Sequence, residues 1–263
     1  MHKVSPKKYL GQHFLKDKGL AQRIVDLLEA DREDPVVEIG PGRGILTQYL
    51  LDLYPNLWLI EVDPEAADFI RRKFEDKNPR LYLKDILKWN MREEIPPNTS
   101  FIGNLPYNIS SPIFFRLLDH LPYVKEGVFM IQKEVADRIC SPHGNKTYGI
   151  LSVLLGAYFD ISYAFSVSPG VFVPPPKVQS AVIVLQRKEE IPEVPFADLK
   201  RVVKAAFNQR RKTLKNALKG LEFHPFEEGT DKMSLRAEQL SVEEFVHMSK
   251  YLKTVKSERN SLG

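Results

Sequence analysis

Thr99-Ser100-Phe101-Ile102-Gly103-Asn104-Leu105-Pro106-Tyr107 begins as a strand and stops in an amide, an aliphatic residue and a proline followed by an aromatic ring. A helical run over 110–120 follows at once. Strands alternating with helices build open α/β sheets, and such sheets bind their ligands beyond the carboxyl ends of the strands. The stretch therefore points to a fold class and, within it, to the place of a site.

Its last four residues suit one kind of chemistry. An exocyclic amino group of a base is a poor nucleophile, because its lone pair is delocalised into the ring. If the Asn104 side-chain oxygen and the Leu105 carbonyl accept its two hydrogens, the lone pair turns toward an electrophile as positive charge develops on nitrogen. That is preorganised electrostatic stabilisation without a strong base. Pro106 has a fixed φ and holds the preceding carbonyl extended, and Tyr107 offers a face for the base. The same residues also make an ordinary strand-ending turn.

Upstream, a helix is expected over 17–30, then the strand Val36-Val37-Glu38-Ile39, then Gly40-Pro41-Gly42-Arg43-Gly44 opening a helical run over 45–53. Backbone can approach a ligand closely at such a turn. The dinucleotide fingerprint would need glycine at 45, where Ile45 stands, so a nicotinamide enzyme is disfavoured. A second strand over 57–63 ends in acid roughly 20 residues beyond the glycines, where nucleoside-binding α/β folds place a carboxylate for ribose hydroxyls. Glu61 is the candidate; Asp63, before Pro64, reads as the N-cap of a helix to Phe74. After a third strand, Arg80-Leu81-Tyr82-Leu83, Asp85 either accepts an adenine amino group or caps the next turn.

Downstream, strands are expected over 127–131, 161–167 and 180–185, with helices over 132–138 and 147–159 and a stiff loop at Pro174-Pro175-Pro176. Seven strand candidates predict a doubly wound α/β domain over 1–188. A polar, proline-bearing linker over 189–195 leads to a small all-α domain over 189–263, whose last helix starts at the capping box Ser241-Val242-Glu243-Glu244 and whose tail is expected to fray from Lys256.

The chain has 263 residues, 43% of them hydrophobic and 27% charged, enough for one large core and a small appended domain. Cys140 is the single cysteine, which excludes an internal disulfide; no grouping has zinc-ligand spacing. No apolar run is long enough to span a bilayer and the N-terminus lacks a signal-peptide core, so a cytoplasmic protein off the membrane is expected. The net charge is only +4, but basic residues gather at Lys3, Lys7, Lys8, Lys16 and Lys18, and again at Lys200, Arg201, Lys204, Arg210, Arg211, Lys212, Lys215 and Lys219. Two basic patches on a nearly balanced protein suggest a polyanionic partner, against the plain alternative of solvated helix faces.

In order along the chain, Lys8-Tyr9-Leu10-Gly11-Gln12-His13-Phe14-Leu15, Glu38-Ile39-Gly40-Pro41-Gly42, Glu61-Val62-Asp63, Asn104-Leu105-Pro106-Tyr107-Asn108-Ile109-Ser110, Gln132-Lys133-Glu134-Val135, Pro174-Pro175-Pro176-Lys177-Val178 and Phe207-Asn208-Gln209-Arg210-Arg211-Lys212 resemble the KsgA-type ribosomal RNA adenine N6,N6-dimethyltransferases, with the Erm methyltransferases as relatives. The resemblance implies a Rossmann-like methyltransferase domain and S-adenosylmethionine as methyl donor. It puts His13 and Leu15 beside the methionine end, Gly40 and Gly42 under the cofactor, Glu61 on its ribose, and Asp85 and Ile86 at its adenine. Asn104 also borders the cofactor and, with Leu105 and Tyr107, holds the target adenine, on whose other face Phe172 stacks. The implied target is a pair of adjacent adenosines in a hairpin near the 3′ end of small-subunit ribosomal RNA, in a pre-ribosomal particle, modified by a monomer. Two positions depart from the pattern: His13 stands where asparagine is frequent, and Gln179 where an acid is common. Leu105 leans toward the KsgA type rather than the Erm type or a DNA adenine methyltransferase, whose motif usually has proline there; a mainly non-catalytic assembly factor is the reading from another class.

Periodicity adds a last expectation. On one helix over 200–219, Val203, Ala206, Phe207, Leu214, Ala217 and Leu218 share a face, and Arg210 alone falls among them. Burying an unpaired guanidinium is costly, so the helix is predicted to break near Asn208-Gln209, with a second helix starting there and Arg210 freed to face solvent or RNA. Lys204, Arg210, Arg211, Lys212 and Lys215 are the candidate phosphate contacts.

Overall fold

Short runs of β-branched and aliphatic residues, several closed by a glycine, proline or acidic turn, build the sheet of the computed structural model, which describes residues 4–225 and 231–253. The strands are β1 (Phe14–Leu15), β2 (Val36–Ile39), β3 (Leu57–Glu61), β4 (Arg80–Leu83), β5 (Thr99–Asn104), β6 (Val124–Gln132), β7 (Phe159–Val167), β8 (Phe172–Val173) and β9 (Ser180–Arg187). Seven of them form one sheet in the order β4-β3-β2-β5-β6-β9-β7, parallel except for β9, which runs against both neighbours. The four residues of β2 are all buried, as strands covered on both faces should be. The strand order reverses between β2 and β5, so the crevice at their carboxyl ends lies between Gly40 and Asn104. There Gly103 has no room for a side chain: a Cβ would sit 2.6 Å from the Ile39 carbonyl oxygen. A separate two-stranded ribbon, β1 with β8, was not foreseen from two-residue strands that carry no period.

Helices α1 (Lys18–Val25), α2 (Thr47–Leu53), α3 (Pro64–Lys73), α4 (Met91–Glu94), α5 (Ser110–Leu118) and α6 (Lys133–Ile139) flank the sheet strands in sequence. Asp17 and Asp63 cap α1 and α3 through side-chain bonds from the Leu20 and Glu65 amides. The first helix ends at Val25, five residues before its expected end. Ala21, Ile24, Leu50, Leu59, Ile70, Ile102, Val128 and Val182 sit in one continuous core.

The chain divides into two compact units. One comprises residues 1–140 and 159–188; the other comprises 141–158 and 189–263. The expected first domain over 1–188 is therefore redrawn: 141–158, with α7 (Ile150–Gly156), belongs to the helical unit. The reason is packing, since buried Tyr148 meets Phe207, whose ring stacks on Phe245 with centroids 5.8 Å apart. That unit also holds α8 (Phe196–Asn208), α9 (Leu214–Ala217) and α10 (Val242–Lys250), the last opened by the Ser241 capping box.

The break in the basic helix is present: α8 ends at Asn208. The next helix, however, begins only at Leu214, and Arg210 is not freed. Its guanidinium donates to the Lys146 and Tyr148 carbonyls at 2.6 and 2.9 Å and lies 3.8 Å from Glu238, so the interruption lets the charge bind backbone instead of entering the apolar face. Lys3 and the tail from Lys256, expected to fray, lie outside the described residues.

Candidate active site

A cleft of about 250 Å³ opens at the carboxyl edge of the sheet. Nine of the residues picked from sequence line it: His13, Gly40, Gly42, Glu61, Asp85, Ile86, Asn104, Leu105 and Tyr107. Two others do not reach it. Leu15 and Phe172 are register partners in the ribbon, and both side chains point into the core, where Phe172 is 1% exposed. The expected stacking face of Phe172 is thus covered, because alternation along β8 turns Phe172 inward and Val173 outward.

Asn104 closes β5, and its side chain is oriented from the N-terminal segment: Nδ2 donates to the His13 carbonyl at 2.9 Å. The amide nitrogen being committed, Oδ1 is the atom left as an acceptor. The Leu105 N–H donates to the Met130 carbonyl at 3.0 Å, which fixes the peptide, while among the described residues nothing donates to the Leu105 carbonyl. The strand end therefore offers two acceptors on adjacent residues, Asn104 Oδ1 and the Leu105 carbonyl. Next to them the Tyr107 hydroxyl and Ser180 share a hydrogen bond. Burial pushes the Tyr107 phenol above its usual range, with the Ser180 bond opposing, so the ring is neutral and presents an uncharged face.

The other half of the cleft fits a nucleoside. Gly40 adopts φ +69°, and a Cβ there would meet nothing within 4 Å, so the backbone leaves open floor in the crevice. Gly42 has φ +55°, and a Cβ would collide with the Phe14 ring at 2.9 Å. Glu61, 4% exposed, accepts from the Val62 and Asp63 amides on Oε1, both at 2.9 Å, and from the Gly42 amide on Oε2 at 3.1 Å. Four lone-pair positions less these three leave one on Oε2 for an incoming hydroxyl. Burial pushes the Glu61 carboxyl above its usual range against the pull of the three amides, and a hydroxyl donor would favour the ionised form. Asp85 Oδ1 accepts from the Leu87 amide at 2.9 Å and so caps the turn, which leaves Oδ2 for an amino group.

Sequence reasoning passed over the segment that roofs the cleft. Tyr9, Gln12 and Asn108 all line it. Gln12 Nε2 donates to Asp63 at 3.0 Å and its Oε1 accepts from the Lys7 amide at 2.8 Å; Lys7 Nζ also pairs with Asp63. Burial opposes it, yet the Lys7 and Gln12 hydrogen bonds hold the Asp63 carboxyl below its usual range. Asp63 is thus more than a helix cap. Gly11, at φ +63°, packs so closely on Asn108 that a Cβ would lie 2.6 Å from its Oδ1. A glycine beside a glutamine in the block over 8–15 was the available signal.

Comparison with known proteins shows what the chain as a whole is similar to. The model of the family described as ribosomal RNA adenine dimethylase matches residues 3–254. The chain is 46% identical over 252 residues to ribosomal RNA small subunit methyltransferase A of Parabacteroides distasonis, covering 95% of this chain and 94% of that protein. It is 47% identical over 250 residues to the protein of the same name from Flavobacterium johnsoniae, covering 94% and 95%. Among solved structures, a dimethyladenosine transferase from Plasmodium falciparum superposes with a TM-score of 0.80 at 26% identity, covering 91% of this chain and 99% of that one. The 23S rRNA methyltransferase ErmE superposes with a TM-score of 0.69 at 25% identity, covering 90% and 99%. The sheet is that of a Rossmann-like methyltransferase, and the chain belongs to the ribosomal RNA adenine dimethylase family.

Proposed function

We propose that this enzyme transfers methyl groups from S-adenosylmethionine to N6 of adenines in small-subunit ribosomal RNA, giving N6,N6-dimethyladenosine. The observation that carries the reading is the Asn104 amide, whose nitrogen is committed to the His13 carbonyl and whose oxygen is left as an acceptor, followed in the chain by the Leu105 carbonyl, to which nothing donates among the described residues. S-adenosylmethionine, when bound, supplies an electrophilic methyl group. Glu61 would hold its ribose through the remaining Oε2 position, Asp85 its adenine amino group, and Gly40 leaves room for its backbone-facing edge, while the Gly42 amide holds Glu61 in place. In the first transfer Asn104 Oδ1 and the Leu105 carbonyl would accept the two N6 hydrogens of the target, and in the second one of them would accept the single hydrogen left. This turns the lone pair out of conjugation and stabilises positive charge as it grows. After each transfer, which leaves S-adenosylhomocysteine, the acidified nitrogen gives one proton to water. Tyr107 stacks on the extruded base, an interaction worth about 1–3 kcal/mol. No residue of the site needs to act as a strong base.

The finer reading is that the target is a pair of adjacent adenosines in a hairpin near the RNA 3′ end, met by a monomer within a pre-ribosomal particle in the cytoplasm. Lys204, Arg211, Lys212 and Lys215, all exposed on the helical unit, would meet phosphates and position the RNA without reading its sequence. Arg210 leaves that set because its guanidinium holds backbone carbonyls. Incubation with labelled S-adenosylmethionine and, in parallel, immature small subunits, naked ribosomal RNA or duplex DNA, followed by nucleoside analysis, tests the proposal. Dimethyladenosine confined to the RNA-containing arms is expected; label in DNA alone, or none in any arm, would reject it.

A further inference from the structure

We infer that His13 is the positioning residue of this site: its ring braces Tyr107 while its backbone carbonyl aims the Asn104 amide. The inference rests on the adenine-methylating reading above. The His13 and Tyr107 rings are stacked, with centroids 5.3 Å apart and planes inclined by 28°. His13 Nδ1 lies 2.8 Å from the Pro174 carbonyl oxygen. A carbonyl can only accept, so Nδ1 carries the hydrogen, and in the neutral ring Nε2 is left with a lone pair. The one donor of the imidazole is thereby committed within the chain. The donor that an asparagine there would offer is, in this ring, spent on the Pro174 carbonyl. What the ring gives the site is its face.

The surroundings make that face a brace. The ribbon pairs Phe14 with Val173, which brings His13 to Pro174 and fixes the imidazole from the side. Tyr107 is tied at its far end to Ser180, which is fully buried. With the hydroxyl tied and one face against the imidazole, the phenol ring cannot tip, and its other face is left for the base. The His13 carbonyl receives Asn104 Nδ2 in the same place. One residue thus sets both the acceptor that orients the target nitrogen and the ring on which the target base lies.

Three variants separate ring from hydrogen bond: His13→Asn, His13→Ala and His13→Phe. Losing the stacked partner should lower kcat for methyl transfer to small-subunit RNA about tenfold in the Asn and Ala variants, with cofactor Kd by calorimetry moving less than about threefold. His13→Phe, which keeps a ring but no donor, should recover kcat to within about threefold of the parent. The reverse pattern overturns the inference: kcat retained in His13→Asn, with cofactor Kd raised more than about tenfold in His13→Phe. A second readout needs no turnover. In ligand-free protein with labelled tyrosine, the Tyr107 ring resonances, assigned through Tyr107→Phe, should lose their ring-current shift in the Asn and Ala variants and keep it in His13→Phe. Unmoved resonances in His13→Asn would refute the stacking. Should the parent protein methylate no adenine while these shifts behave as stated, the functional reading fails and the brace stands.

Discussion

Asn104 and Glu38 show two uses of a buried polar side chain in one sheet. Asn104 is half-buried with one end committed and the other open, the state of a group that waits for a substrate. Asn104→Ala should lower turnover by roughly 10²–10³ while leaving cofactor affinity within a few-fold, because it removes one preorganised acceptor and its tether to the His13 carbonyl but leaves Glu61 and Asp85 to hold the cofactor; single-turnover methylation beside calorimetric titration checks both. Glu38, in contrast, does not reach the cleft. It is fully buried and accepts from the Thr47 hydroxyl at 2.7 Å. Burial pushes its carboxyl up to about 8, with the Thr47 bond opposing and Glu61 adding repulsion. The sign follows from linkage. Below pH about 4 the group is protonated in both states and adds no pH dependence. Above that the unfolded chain releases the proton and the folded one keeps it, so stability is lost as pH rises toward 8, by at most about 1.4 kcal/mol per pH unit. Glu38→Gln keeps a group that can accept from Thr47 but cannot ionise. Its melting temperature relative to the parent should therefore climb between pH 5 and pH 8, and a constant difference would show that Glu38 titrates normally.

Elements here are positioned by their ends more than by their lengths. The edge of β2 is set by Gly40, that of β3 by the Glu61 carboxylate folded back on the next two amides, and that of β5 by Asn104 reaching to the His13 carbonyl. Each strand end is thus built by its own side chain or its own lack of one, and the cleft is the sum of three such ends. In the helical unit, the stretch between α8 and α9 works the same way. Arg210 satisfies two carbonyls of the 141–158 segment, and the chain abandons helical geometry to let it. Arg210→Ala should destabilise the protein by about 0.5–1.5 kcal/mol, the net worth of a typical hydrogen bond, because water can reach the exposed Lys146 carbonyl once the guanidinium is gone. Urea unfolding measures it, and Arg210→Lys, a single point donor, should restore only part of the loss. An unaltered urea midpoint in Arg210→Ala would mean that water replaces the guanidinium without cost.

Over the whole chain, charge and hydrophobic burial were assigned to different tasks, and the salt response should show it. If Arg211, Lys212 and Lys215 meet phosphates, their joint replacement by alanine should weaken small-subunit binding and lower the slope of log K against log salt by about 0.7–0.9 for each phosphate no longer neutralised, with cofactor affinity unchanged. Filter binding across a salt series reads this directly, and an unchanged slope would return these side chains to the solvent. The sequence by itself determined the seven-strand α/β pattern, the glycine turn, the acid closing β3 and the amide, carbonyl and ring after β5. Each of these is written in residues adjacent along the chain, where period, turn chemistry and spacing are local quantities. Only the tertiary structure decided the rest. Phe172 lost its expected place at the cleft to a two-residue ribbon pairing with Leu15, 157 positions away in numbering (172 − 15). The segment 141–158 left the sheet domain because Tyr148 found Phe207. Arg210 turned from a candidate RNA contact into a backbone clamp, and His13 became the ring behind Tyr107. All four depend on which distant backbone carbonyl or ring lies within reach, and no pattern of neighbouring residues encodes a distance across the fold.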